Sequence, residues 1–213
     1  MTNLFFDIET LPSSEEDKEL HLEILRKKHK GKTDTQIHEW TSFDGTFGRI
    51  CCIAVIKEVD GKEVLHEVFS GDEKEILRKF WEASQDVHRF VGHNVLEFDF
   101  PFIYQRSIIL GVKPRSNISF ARYKDTPVFD TMRQWTLWSY DKTVSLDTLS
   151  KVLGFPTSKD KMDGSEVWSY YKEGKLKEIC EYCMKDVELT RQVYKKMVFE
   201  DSAQNSPNDD LPF

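Results

Sequence analysis

At 213 residues, with 39% hydrophobic residues including 15 Phe and 5 Trp, the chain is sized for one domain with an ample core. It has no run of about 18 apolar residues and no charged-then-apolar start, which argues against a spanning helix or a signal peptide and makes a cytoplasmic protein the default expectation. The net charge of −7 argues against a uniformly phosphate-gripping surface, but the charge is unevenly spread. Residues 200–213 carry Glu200, Asp201, Asp209 and Asp210 with no Lys or Arg, whereas residues 100–124 carry Arg106, Lys113, Arg115, Arg122 and Lys124 with no acid.

Leu4 to Ile8 reads as a short buried strand with Asp7 and Glu9 at its C-terminal end. Two residues apart on a strand, these carboxylates leave the same face and together offer oxygens to a hard cation such as Mg²⁺. An Asp-x-Glu pair alone also describes a solvated strand end. Here Leu4, Phe5 and Phe6 bury the strand up to Asp7, which favours the ligand reading. Residues 13–44 are charged, helix-like from Glu15 to Lys30 and polar around Gly31-Lys32-Thr33, and read as an insertion between the first two strands.

Arg49 to Val59 and Val64 to Ser70 read as strands joined by a turn at Asp60-Gly61. Cys51 and Cys52 fall in the first of these and, by strand alternation, should point to opposite faces. With Cys180 and Cys183 they number four, enough for a structural zinc, although buried reduced thiols are the favoured reading. Asp72 to Gln85 is an amphipathic helix with Ile76, Leu77, Phe80 and Trp81 on its apolar face.

His88 to Gly92 is a fourth strand, and Phe98 to Leu110 a helix with Pro101 in its first turn. Asp99 stands where strand and loop give way to that helix, as a metal ligand or as an ordinary cap. His93 and Asn94 precede it; Asn94 is the better candidate for touching substrate, and His93 reads more as a structural residue. The basic stretch that follows includes Phe120 and Tyr123, which offer rings for stacking on bases.

Val128 to Asp130 reads as a fifth strand, and helices follow near 132–138, 145–153, 165–171 and 176–198. The pattern predicts an α/β domain, a mixed sheet of about five strands flanked by helices, over residues 1–199, with a polar, acidic tail at 200–213. On the last helix Tyr182 and Asp186 are neighbours at i and i+4, beside the apolar positions Ile179, Cys183, Leu189, Val193 and Met197. An aspartate there is costly to bury without a partner, either a metal or the tyrosine hydroxyl.

Taken together, Asp7-Ile8-Glu9, Gly92-His93-Asn94 with Phe98-Asp99, and Glu181-Tyr182-Cys183 with Asp186-Val187 resemble the DEDD superfamily of 3′-to-5′ exonucleases. Tyr182, four residues before Asp186, makes the resemblance one to the tyrosine subtype. The histidine subtype would carry His at position 181, which is Glu. The motifs look most like stand-alone relatives of the proofreading domain of family B DNA polymerases. The resemblance spans residues 4 to about 198, and the 13–44 insertion departs from it.

It implies a ribonuclease H-like fold and two-metal hydrolysis with two divalent ions, Mg²⁺ or Mn²⁺. Asp7 would bridge the ions, with Glu9 and Asp186 completing one site and Asp99 contributing to the other. Tyr182 would orient the attacking water. Thr10, Leu11, Asn94, Phe98, Arg122 and Lys124 are the candidate substrate contacts. The implied product is a nucleoside 5′-monophosphate released from a free 3′ end, and two divalent ions would offset the four carboxylates.

The chain ends Asp209-Asp210-Leu211-Pro212-Phe213, which looks like the acidic C-terminal tip of bacterial single-stranded-DNA-binding proteins. Such a tip docks through its terminal Phe and carboxylate. This resemblance points to proteins that recognise that tip as partners, and to single-stranded or frayed DNA as substrate. An RNA-trimming exonuclease and a non-catalytic nucleic-acid adaptor remain as alternatives.

Overall fold

The computed structural model describes residues 1–116, 118–156 and 162–200. The candidate docking residues Asp209, Asp210, Leu211, Pro212 and Phe213 lie outside the described residues. Five strands, β1 (Thr2–Leu11), β2 (Arg49–Val59), β3 (Lys62–Ser70), β4 (Arg89–Gly92) and β5 (Val128–Asp130), form one mixed sheet in the order β3-β2-β1-β4-β5. β1 and β3 run antiparallel to β2, while β4 runs parallel to β1 and β5 parallel to β4. Asp60 and Gly61 both take positive φ, 50° and 75°, as the tight β2–β3 turn requires. Eight α-helices are described: α1 (Lys18–Arg26), α2 (Asp34–Trp40), α3 (Glu73–Ala83), α4 (Asp99–Ile109), α5 (Thr131–Trp135), α6 (Leu146–Val152), α7 (Val167–Lys172) and α8 (Leu176–Met197). None is long and apolar enough to cross a membrane.

Strand alternation divides the apolar residues between two cores. Leu4, Phe6 and Ile8 of β1 join Ile53 and Val55 of β2 against Ile76, Leu77, Phe80 and Trp81 of α3 and Phe100, Phe102 and Ile103 of α4. On the other face Phe5, Cys52, Ala54, Ile56, Val91 and Phe129 pack against Ile179, Cys183, Val187 and Tyr194 of α8. Buried on both faces, β1 and β2 read as near-continuous apolar runs.

Polar clamps fix the helices over the sheet. Buried Glu58 of β2 accepts from Arg191 at 3.4 Å and Lys195 at 2.9 Å on α8. Arg106 of α4 forks onto Glu73 of α3 at 2.9 and 2.8 Å, and the same carboxylate accepts the Ile50 N–H at 2.7 Å.

Three expectations are corrected. β1 is twice as long as the five residues expected, because pairing with β2 continues through Leu11. Asp7 and Glu9 therefore sit within the strand rather than at its end. The 13–44 insertion holds two helices, not one. The second is started by a capping box in which Thr33 and Gln36 bond each other's backbone N–H, a signal hidden inside a polar run.

Cys51 and Cys52 do not face opposite sides. The β1–β2 register slips between Glu9 and Thr10, leaving Cys51 opposite no residue, and this bulge turns both cysteines into the α8 core. The Cys52 thiol there lies against those of Cys180, Cys183 and Cys51, and all four cysteines are free. No three of them converge closely enough to hold one metal ion.

Candidate active site

The site forms where β1 loses its parallel neighbour. β4 pairs only with Asn3, Leu4 and Phe5, so from Asp7 onward that edge of β1 is open. The N-terminus of α4 fills the gap, and buried Asp99, its first residue, accepts the Ile8 N–H at 3.2 Å. A carboxylate thus replaces the missing strand and lies beside Asp7. Gly92 makes the turn between them possible. A Cβ there would stand 2.0 Å from the Val95 side chain and 3.1 Å from the Phe6 carbonyl oxygen.

From the other side α8 delivers Asp186 and Tyr182, whose side chains hydrogen-bond each other. Asp7, Asp186 and Tyr182 line a cleft of about 480 Å³, with His93, Asn94 and Arg133 on its far wall. Glu9 is buried just beneath, and one oxygen each of Asp7 and Glu9 lies within 4.8 Å of the Cys183 sulfur. The Cys183 thiol donates to the Asp7 carbonyl oxygen at 3.5 Å and to its carboxylate at 3.6 Å.

These acids repel one another. Burial, then the charges of Asp99, Glu9 and Asp186, pushes Asp7 well above the usual carboxylate range. Burial, then Asp186, does the same to Glu9. Asp99 is raised to about 8, chiefly by burial. Burial and the surrounding acids also raise Tyr182, which keeps its hydroxyl protonated. Among the described residues no lysine or arginine figures among the groups that shift Asp7, Glu9 or Asp99.

Dense, mutually repelling carboxylate oxygens fit hard divalent cations, which take oxygen ligands and retain waters. Cys183 stands beside this set as a thiol that donates to Asp7, and burial holds it well above its usual pKa.

The far wall is held by Asp130, which the sequence reading did not single out. Fully buried at the end of β5, it accepts N–H groups from Met132 and Arg133 as the cap of α5, and from Asn94 and Leu96 across the sheet, all between 3.0 and 3.1 Å. It thereby holds Asn94 at a φ of 63°. An aspartate between an apolar strand and a helix start is a cap signal, and its second pair of donors is invisible in sequence.

His93 lines the cleft while both its ring nitrogens are engaged by the fold. Its Nε2–H donates to the Val144 carbonyl at 2.8 Å, and its Nδ1 meets the Thr131 hydroxyl at 2.9 Å. Burial lowers its pKa and keeps it neutral in that role.

The structure does not bring every candidate contact to this cleft. Thr10 donates its hydroxyl to the Ser42 carbonyl at 2.7 Å, and Leu11 is buried in the α8 core. Phe98 packs on Phe102 with ring centroids 5.8 Å apart. Arg122 lines a neighbouring small cleft beside Glu97, and Lys124 is exposed outside the carboxylate cleft. Asn94, Asp7, Tyr182 and Asp186 are the candidates that line the cleft itself.

A family model described as a predicted 3′-5′ exonuclease related to the exonuclease domain of PolB matches residues 43–207. The match includes Asp99, Tyr182 and Asp186 and begins after β1. An uncharacterized protein of Methanocaldococcus jannaschii is 27% identical over 143 residues, covering 62% of this chain and 79% of its own length. The fold is similar to that of the family B DNA polymerase from the hyperthermophilic archaeon Pyrobaculum calidifontis. That match has a TM-score of 0.63 and 21% identity, and spans 93% of this chain but only 24% of the polymerase.

Proposed function

Because this chain belongs to the family of predicted 3′-5′ exonucleases related to the exonuclease domain of PolB, we propose that it removes nucleotides from the 3′ ends of single-stranded or frayed DNA by two-metal hydrolysis. The observation that carries this reading is the meeting of Asp7, Glu9, Asp99 and Asp186 from β1, α4 and α8, with Tyr182 bonded to Asp186 at the mouth of the cleft.

Asp7, Glu9, Asp99 and Asp186 are the residues that would hold two divalent cations, Mg²⁺ or Mn²⁺. Bound there, such ions lower the pKa of water and stabilise the attacking and leaving oxygens of an in-line displacement. Tyr182, kept protonated and tethered to Asp186, orients the attacking water. Asn94, held at the rim by the Asp130 carboxylate, positions the terminal nucleotide. Water's oxygen joins phosphorus, the bond from phosphorus to the preceding 3′ oxygen breaks, and a nucleoside 5′-monophosphate leaves. The acidic tip at 209–213 would direct the enzyme to proteins that recognise such tips. Phe213→Ala should remove that binding, and unchanged capture of those proteins would end the idea.

Digestion of matched 5′-labelled DNA and RNA strands with Mg²⁺, Mn²⁺ or chelator tests the reading. The expected result is a ladder of DNA shortened from the 3′ end only when metal is present. Preferential shortening of RNA would reassign the substrate, and shortening of neither would refute the function.

A further inference from the structure

The carboxylate cleft continues into a surface that hydrolysis does not use. Arg133 lines both that cleft and a smaller one of about 100 Å³ formed with Glu97, Arg122, Tyr123, Trp138 and Tyr140. Thr143 and Val144 likewise belong both to the carboxylate cleft and to a shallow depression beside Trp135 and Leu137. The segment after α5 is therefore a rim running outward from the site.

This rim exposes what a core would hide. Tyr123 is 75% exposed, Leu137 85% and Tyr140 95%. Tyr123 and Trp138 place their ring centroids 5.3 Å apart at an angle of 45°. Tyr123, Leu137 and Trp138 all adopt positive φ, between 50° and 63°, which non-glycine residues rarely take. The backbone is locked there, with Trp138 N–H donating to the Arg133 carbonyl at 2.9 Å and Leu137 N–H to that of Gln134 at 3.2 Å. The fold thus holds an uncommon backbone that leaves Tyr123 and Leu137 exposed and Trp138 half-buried against the Tyr123 ring. Phe120, also expected to stack on bases, stays partly exposed but packs one side on Phe100 and Tyr104.

The charge around the rings is positive. Arg122 and Arg133 share one carboxylate, that of Glu97, at 3.4 and 3.5 Å, which leaves one positive charge in excess. Lys124 and Lys142 are exposed on the same segments beside Asp125 and Asp141, which they offset, so the excess stays at one positive charge. Exposed aromatic faces interleaved with cations are what a strand needs whose bases are unpaired and whose phosphates are charged. Continuity with the carboxylate cleft favours the substrate itself over a separate protein partner as the occupant.

We propose that Tyr123, Trp138 and Tyr140 form a stacking platform for bases of single-stranded nucleic acid lying 5′ of the nucleotide being removed, with Arg122 and Arg133 meeting the intervening phosphates. This deepens the exonuclease reading and rests on it for the strand's direction. The platform holds the strand that remains while its terminal nucleotide lies among the carboxylates, and it needs no particular base because every base has a face to stack.

The test compares the full wild-type chain with Tyr123→Ala/Tyr140→Ala and Tyr123→Phe/Tyr140→Phe, both at exposed positions. Binding of a fluorescein-labelled ten-nucleotide oligothymidylate is measured in chelator. The alanine pair should bind roughly tenfold weaker or worse, and the phenylalanine pair, which keeps the rings, should bind like wild type. With Mg²⁺ the alanine pair's loss in kcat/KM should sit in KM and grow with strand length. Equal binding by the alanine pair and wild type overturns the platform. If wild type digests no strand yet binds oligothymidylate through these tyrosines, the exonuclease reading falls and the platform stands.

Discussion

Asp130 and the clustered acids Asp7, Glu9, Asp99 and Asp186 stand on either side of the Asn94 loop, and they are satisfied in different ways. Asp130 collects four backbone N–H groups from two segments, so its charge is met entirely by donors of the fold. Asp7 and Glu9 face chiefly other acids, Asp99 accepts the Ile8 N–H but also meets the charge of Asp130, and burial raises all three. The first holds architecture together. The second is left in a condition that a bound cation would relieve, as the proposed two-metal site requires.

The comparison can be broken most sharply at Asp7. Asp7→Asn should lower strand digestion by at least the roughly 10²–10³-fold that loss of one electrostatic stabiliser costs an enzyme. In chelator the same variant should melt no lower than wild type, because a repelling charge has gone. A variant that digests as well as wild type would sink the site assignment.

Asp130→Ala should do the reverse in kind. Orphaning its four N–H groups costs about 2–4 kcal/mol of stability, measured by urea unfolding, and saturating Mg²⁺ should not restore it. A variant as stable as wild type would mean that water replaces the carboxylate at no cost.

Divalent cations should raise the melting temperature of wild type. The gain is about 2.7 kcal/mol at a free concentration one hundred times Kd. Asp7→Asn should show most of that gain lost and Asp130→Asn should keep it, so equal gains in both variants would deny the contrast.

The last expected effect is a slope. Asp99 is raised from an ordinary 3.8 to about 8, so the folded protein holds a proton that the unfolded chain has released. In chelator this group therefore makes stability fall as pH rises from about 4 towards 8. Asp99→Asn should flatten that fall across the same window in a series of thermal melts, and an unchanged slope would locate the pH response elsewhere.

Much of the architecture was legible because periodicity follows burial. The β2–β3 hairpin is read from Asp60-Gly61, α3 from its apolar stripe and α8 from its length, each agreeing with the structure to within a few residues. The length of β1 was not legible, since only its pairing with β2 carries it to Leu11. Nor was the bulge at Cys51, which breaks the alternation that a sequence reading must assume. At the site, Asp7, Asn94, Tyr182 and Asp186 were legible from motif spacing and do line one cleft. Thr10 and Leu11 follow Glu9 directly, yet a hydroxyl bonded to Ser42 and a side chain buried against α8 take them elsewhere.

By itself the sequence determined the types and order of the reactive groups, and through hydrophobic period, the elements that carry them. Both are local properties, set by side-chain chemistry and by repeats of 2 and 3.6 residues. Only the tertiary structure decided that β4 stops short of Asp7, that Asp99 fills the opened edge, and that Asp130 spans two segments. Each of these depends on where backbone groups distant in sequence go unpaired, and a buried N–H must find an acceptor wherever the fold provides one.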